Sequence, residues 1–304
     1  MNRIEVPGKV MLSGEYAVLY GGTSAMMPLK SRNLIITESD DKNRESLPPV
    51  VKNALGIHLD ETAMHEAAMP LHSVEIDYSQ FYIKDSAGHD VKLGLGSSAA
   101  EAVGVIALRF ERSKLPWDTY AVNIAYYADL VHREAQGGTG SGADIAVCAF
   151  RLPLKFGRTE QQIMVEQFET EPSEWGLPLN LVHSGQPANT RDLVSQFEEW
   201  RKSDPKAEEL VEQLVNWSHT VSKAWFTEPR EEFLTRLDLF TGVLDACAER
   251  ASMKLKTDRH IELEEWAKKY GGRAKPTGAG GGDMILLIGD LPVDELDSEV
   301  IPLT

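Results

Sequence analysis

The sequence is poor in cysteine, in basic residues and in long apolar runs, and each shortage excludes something. Two cysteines in 304 residues, Cys148 and Cys247, make neither a disulfide framework nor a cysteine metal cluster. The simplest expectation is a reduced, cytoplasmic protein. No uninterrupted apolar run approaches the ~18 residues that a bilayer-spanning helix needs. The opening MNRIEVPGKV has no apolar stretch of the kind a secretory signal carries. Lys and Arg number 31 against 47 Asp and Glu, a formal net charge of −16. Nucleic acid and anionic membranes both select for basic surface, so neither is expected as a partner. One small anionic ligand stays compatible, because local donors outweigh a distant field that salt screens within ~10 Å.

What is present reads as an ordinary globular chain, 42% hydrophobic and 26% charged. Its 304 residues, at ~100–200 per domain, predict about two domains. The first ~90 residues read mostly as strands and turns, over 3–15, 33–39 and more weakly 72–83, with a break at Gly21-Gly22 and one helix over ~48–68. Helices follow over 97–112 and 118–136. The second opens with Asp118 as its cap and carries Val122, Ala125, Tyr126 and Leu130 as one apolar stripe. Residues ~157–178, with Gly157, Pro172, Gly176 and Pro178, read as a connection and place a domain boundary there: 1–174, then 175–304. A strand over 179–183, helices over 190–202, 205–226, 230–254 and 259–270, and an apolar strand over 284–288 complete the pattern. Strands, helices and strands again predict an α+β class in each half.

Three glycine loops carry the chemistry. The first, KLGLGSSAAEA (92–102), places Gly94 and Gly96 before Ser97, Ser98 and a helix of small residues. Unpaired N–H groups at a helix start suit a phosphate, and glycine lets it come close. A plain N-cap after a glycine turn explains the same letters. The second, AQGGTGSGADIA (135–146), puts Asp144 at the mouth of a buried run. There it either caps the next helix or is a carboxylate with a partner and a task. The third, KPTGAGGGDMILLIG (275–289), precedes a buried strand, and its glycines point to close approach to a ligand or to another loop, or to a hinge. Near the start, VPGKVMLSGEYAVLYGG sets Lys9 and Glu15 around an apolar strand, and a part-buried lysine with an acidic neighbour is a candidate catalytic cation.

Together these features resemble the GHMP kinase superfamily of small-molecule, ATP-dependent kinases. PGKVMLSGEYAVLYGG is similar to its first motif, GLGSSAA to its second and PTGAGGGD to its third, in that order and at matching spacing. The resemblance implies an α+β, two-domain fold: an N-terminal domain like ribosomal protein S5 domain 2 over 1–174 and a ferredoxin-like C-terminal domain over 175–304. It implies ATP and Mg²⁺ as cofactors, a small acidic acceptor as substrate, and a monomer or homodimer. Gly94, Leu95, Gly96, Ser97, Ser98 and Ala99 would wrap the ATP phosphates, with Ser98 and Glu134 on Mg²⁺. Asp144 would take the acceptor proton and Lys9 would sit beside the transferring phosphoryl group. Glu15, Ser141, Ser184, Thr190, Arg191, Gly278, Ala279 and Gly280 would serve the substrate, Arg191 as the fork for a carboxylate or phosphate.

Within the superfamily, AQGGTGSGADIA and SGQPANTRDLV look like the phosphomevalonate kinases, where mevalonate kinases tend to have HG-x-PSG-x-D. The implied acceptor is therefore 5-phosphomevalonate, with mevalonate the alternative. A decarboxylase of phosphorylated mevalonates would share the fold, but its acceptor-loop pattern is not seen. A non-catalytic relative would be expected to lose Lys9, Asp144 or Ser98, and all three are present. Trp200, Trp217, Trp225, His132 and Cys148 read as packing or structural residues.

Overall fold

The computed structural model describes residues 2–41, 44–59, 71–84, 88–138, 140–160 and 162–304. Two long strands, β1 (Arg3–Ser13) and β2 (Thr23–Ser39), come first, then α1 (Pro49–Gly56), β3 (Ser73–Asp77), β4 (Tyr82–Lys84) and β5 (Asp90–Lys92). Three helices follow, α2 (Ser97–Arg112), α3 (Trp117–Ala135) and α4 (Ala143–Phe150), and then β6 (Leu154–Arg158), β7 (Ile163–Gln167) and β8 (Leu179–His183). The rest is α5 (Thr190–Ser203), α6 (Ala207–Ala224), α7 (Arg230–Arg250), α8 (Asp258–Lys269), β9 (Arg273–Pro276), β10 (Met284–Ile288) and β11 (Val300–Pro302). The class is α+β, as expected. Of the helix expected over 48–68, α1 realises 49–56, and 60–68 lie outside the described residues. Residues 157–178 are not a bare connection. They hold most of the β6–β7 hairpin, paired from Leu154↔Gln167 to Arg158↔Ile163, and a short turn of helix at Pro172–Glu174.

The chain divides into two compact units, one of residues 1–9, 28–82 and 95–152, the other of 10–27, 83–94 and 153–304. In the first, α2 is the central element. Its run of Ala, Val, Ile and Leu favours a helix that is apolar all round, and every residue from 99 to 110 is buried. The two charged groups in that stretch are answered by hydrogen bonds. Glu101 accepts from the Tyr78 hydroxyl at 3.0 Å, and Arg109 donates to the carbonyls of Ala54 and Ile57, the open end of α1. Gly104 lets α2 lie close on the strands: a Cβ there would stand 2.5 Å from Cδ1 of Ile36 and 2.8 Å from Cγ2 of Val6.

Two expectations for α3 need correction. Its N-cap is Pro116, and Asp118 lies inside the first turn without capping it. The stripe of Val122, Tyr126 and Leu130 is exposed, at 68%, 59% and 43%. The buried face is Ile124, Tyr127, Ala128 and Val131. Both stripes have helical spacing and both are apolar, so periodicity alone does not choose between them.

In the second unit β8, β9, β10 and β11 form an antiparallel sheet in the order β11-β8-β10-β9. Fourth, first, third, second is the order of a ferredoxin-like sheet. β10 is buried at all five positions, so both its faces are covered. α8 lays Leu263 and Ala267 against Val182, Ala274, Ile285 and Leu287. Elsewhere in this unit Trp225 is fully buried, 4.5 Å from Phe233, with Trp175 at 4.7 Å from the same ring. Gly104→Leu is expected to lower the unfolding free energy by about 1–3 kcal/mol through overpacking against Val6 and Ile36, read as a lower urea midpoint. An unchanged midpoint would show that the helix can lift off the strands without cost.

Candidate active site

In the first unit three chain segments meet at Lys9. The backbone N–H of Lys9, on β1, donates to the carbonyl of Leu95 at 3.0 Å, which ties the strand to the loop before α2. Gly8 permits that approach, since a Cβ there would lie 3.1 Å from Cβ of Leu95. The Lys9 side chain then runs along Gly96. A Cβ at Gly96 would sit 2.6 Å from Cγ and 2.7 Å from Cε of Lys9, so the stem fills the space a side chain would need. Gly96 is also left-handed, with φ of 79°. Past the glycine, the ammonium of Lys9 reaches Oδ2 of Asp144 at 3.2 Å. The lysine side chain is 12% exposed and the aspartate 34%, so the pair is part-buried and open on the carboxylate side.

Asp144 is the second residue of α4. The second glycine loop turns it inward: Gly142 is left-handed at the N-cap, and Oγ of Ser141 accepts from the amide of Ala143 at 3.2 Å. Thr139 of that loop lies outside the described residues. At the start of α2 the N-cap is Gly96, with no side-chain cap. The first helical bond of this turn runs from the amide of Ala100 to the carbonyl of Gly96. No side chain caps the amides of Ser97, Ser98 and Ala99, and they carry the positive end of the helix. This amide cluster, a lysine along its N-cap glycine and a carboxylate 3.2 Å from that lysine suit an anion next to a proton acceptor.

Two buried groups flank the pair. Burial pushes His132 down, partly offset by the charges of Asp144 and Asp129, which keeps the imidazole neutral near pH 7. Its Nε2 lies 2.8 Å from Nε2 of Gln136, a structural hydrogen bond. Burial pushes the Cys148 thiol up, and the charge of Asp144 pushes the same way.

Glu134, expected on Mg²⁺, is exposed on the last turn of α3. Among the described residues no three His, Cys, Asp or Glu side chains converge as a metal cage. Mg²⁺ in a phosphoryl-transfer site does not need one: it takes one or two protein oxygens and completes its octahedron with phosphate oxygens and water. The Ser98 hydroxyl, in the first turn of α2, is an oxygen of that kind, so the donor chemistry at this helix start fits the ion.

The remaining candidates belong to the second unit. Glu15 is engaged by Lys275 in an ion pair with both side chains almost fully buried, and Lys275 also donates to the carbonyl of Pro276 at 2.7 Å. The third glycine loop is packed against protein. A Cβ at Gly280 would lie 2.5 Å from the carbonyl oxygen of Leu255, and one at Gly281 would lie 2.8 Å from Leu193. Tyr16 donates its hydroxyl to the carbonyl of Ala279 at 2.8 Å and stacks on Phe197 at 4.6 Å. Gly278 is left-handed, with φ of 74°. Ser184 is buried and its hydroxyl donates to Gln186. Thr190 and Arg191 are exposed in the first turn of α5, and among the described residues Arg191 has no ion-pair partner. Sequence reasoning passed over Lys275 and Asp283, whose weight comes from contacts far away in the chain.

Residues 54–151 match the family of GHMP kinases at its N-terminal domain. The chain is 25% identical to the phosphomevalonate kinase of Saccharolobus solfataricus, over 95% of this chain and 91% of that protein. It is 27% identical to the mevalonate kinase of Pyrococcus abyssi, over 91% and 85%. The crystal structure of Streptococcus pneumoniae phosphomevalonate kinase in complex with phosphomevalonate and AMPPNP superposes with a TM-score of 0.77 at 16% identity, over 95% of this chain and 92% of that one. That likeness is one of fold.

A pH-dependent expectation follows from the buried thiols. Burial raises Cys148 and pushes Cys247 up to about 12, so both stay protonated at pH 8. Labelling by a disulfide reagent at pH 8 is expected to run on the order of 10²–10³-fold slower in the folded chain than in the unfolded one. Labelling of the native protein at the unfolded rate would contradict the burial of both groups.

Proposed function

With a GHMP kinase N-terminal domain over residues 54–151, the chain belongs to the GHMP kinases, ATP-dependent phosphotransferases, and we propose that its acceptor is 5-phosphomevalonate. The observation that carries the reading is the Lys9–Asp144 pair laid across Gly96, at the uncapped start of α2. Phosphoryl transfer asks for position and charge neutralisation more than for covalent help. Gly94, Leu95, Gly96, Ser97, Ser98 and Ala99 supply backbone amides and hydroxyls for the ATP phosphates. Asp144 orients the acceptor hydroxyl and takes its proton. As the bond from that oxygen to the γ-phosphorus forms, the bond to the β–γ bridging oxygen breaks, and ADP leaves with the electron pair. Lys9 neutralises the oxygens of the group in flight. Mg²⁺, held by Ser98, would supply further charge neutralisation to the phosphates.

A phosphorylated acceptor adds charge that must be met. Arg191, exposed and without an ion-pair partner among the described residues, is the proposed fork for it, with Ser184 and Thr190 as hydroxyl donors. Likeness to phosphomevalonate kinases along nearly the whole chain supports this acceptor. Likeness of similar strength to a mevalonate kinase makes mevalonate the second reading, with the same site and a different acceptor.

ADP release measured with phosphomevalonate, mevalonate, galactose, homoserine and no acceptor separates these readings. Phosphomevalonate is expected to give the highest kcat/KM, and a higher value for any other acceptor removes the assignment. Asp144→Asn is expected to keep the fold and lower kcat by about 10²–10⁴, and Lys9→Met to act in the same range. Near-normal turnover by Asp144→Asn would take Asp144 out of the proton-accepting role.

A further inference from the structure

The third glycine loop ends on Asp283, a residue with no part in the chemistry above. Its backbone is left-handed, with φ of 53°, a conformation that few residues other than glycine adopt and that Asp and Asn tolerate best. Such a residue persists where its surroundings over-determine it. Here they do. The Asp283 amide donates to the carbonyl of Gln186 at 2.8 Å, and its carbonyl accepts from the amide of Ser184 at 2.7 Å. Oδ1 of its side chain accepts from the amide of Ala188 at 3.1 Å. One residue therefore holds the turn 184–188 at three points, and Asn189 of that segment caps α5.

The other carboxylate oxygen explains a glycine of the phosphate loop. A Cβ at Gly94 would lie 2.3 Å from Oδ2 and 2.6 Å from Cβ of Asp283. Gly94 thus makes room for Asp283, as well as for any phosphate. Gly282 is bare for a similar reason: its Cβ would lie 2.6 Å from the carbonyl carbon of Pro187. Lengthening the side chain at either glycine would push the loop off the turn.

We propose that Asp283 is a positioning residue for the acceptor: it fixes the turn 184–188, and through it the start of α5 with Thr190 and Arg191, against the lead-in of the phosphate loop at Gly94. This rests on the acceptor reading given above. It predicts that the carboxylate governs acceptor affinity rather than nucleotide affinity or the chemical step.

Steady-state kinetics of the full chain, with ATP and whichever acceptor the wild type turns over, test it. Asp283→Gly leaves the left-handed backbone unstrained and removes only the side chain. The acceptor KM is expected to rise about tenfold or more, from an amide left without its partner, while kcat stays within about threefold and the KM for ATP within about twofold. Asp283→Asn keeps an oxygen for Ala188 and is expected to bring the acceptor KM back to within about threefold of wild type. A wild-type acceptor KM in Asp283→Gly, or equal rises in both KM values, overturns the proposal. If Asp283→Gly does not fold, Asp283→Asn decides, and a tenfold rise in its acceptor KM overturns it. Amide hydrogen exchange at Ala188 gives a readout free of turnover: faster exchange in Asp283→Gly and retained protection in Asp283→Asn are expected. A wild type that turns over none of the acceptors defeats the acceptor reading, and the exchange measurement then decides the clamp by itself, unchanged protection at Ala188 overturning it.

Discussion

The arrangement depends on one constraint: position 96 must have no side chain. The Lys9 stem occupies that space on its way to Asp144, and the backbone of the same residue is left-handed and forms the N-cap of α2. Three requirements therefore fall on one glycine. A part-exposed pair at 3.2 Å is a weak source of stability, since water and salt screen it. Its value lies in arrangement. It keeps a cation and a carboxylate at fixed places beside amides that have no side-chain partner, so little has to reorganise when an anion arrives.

The second unit uses glycine differently. Four glycines in five residues look like slack in a sequence. In the folded chain Gly280, Gly281 and Gly282 are places where backbone or side chains of Leu255, Leu193 and Pro187 come too near for a Cβ. The loop is a packed element, pinned by the amide of Gly281 on Leu255 and by the Tyr16 hydroxyl on Ala279. Beside it the Glu15–Lys275 pair is buried, with Oε2 of Glu15 lacking a hydrogen-bond partner. Removing one member of such a pair strands the other charge, so Glu15 is held to its structural task whatever else it does.

Much of this was legible in the letters, for identifiable reasons. α2 was readable to the residue because a glycine N-cap, two serines and a run of small helix formers agree at every level. The Lys9–Asp144 contact spans 135 residues, and no local pattern encodes it; only the order of motifs pointed there. α3 misled because it has two apolar faces at helical spacing, and packing against α1, α2 and α4 selects the one with Ile124 and Tyr127. β9 and β11 are four and three residues long, too short for periodicity to register. Lys275 and Asp283 sat inside a motif already quoted, yet their partners, Glu15 and the turn 184–188, are remote in sequence. A residue's type announces that it can ionise or hydrogen-bond; only the fold says with what.

The charge of the chain sharpens the last point. A kinase of net charge −16 that takes a triphosphate cannot rely on its overall field, which opposes that ligand. The donors must be local and within a Debye length, ~8–10 Å, of the phosphates. On the first unit such donors are the α2 amides and Lys9. On the second, Arg191 in the first turn of α5 is an exposed cation with no ion-pair partner among the described residues, while Lys275 is held by Glu15 and Lys256 by Asp245 and Glu264. Binding of an anion at the α2 amides then rests on a few oriented donors whose backbone is fixed by glycines. Accuracy of placement does the work that abundance of positive charge does in a nucleic-acid-binding surface.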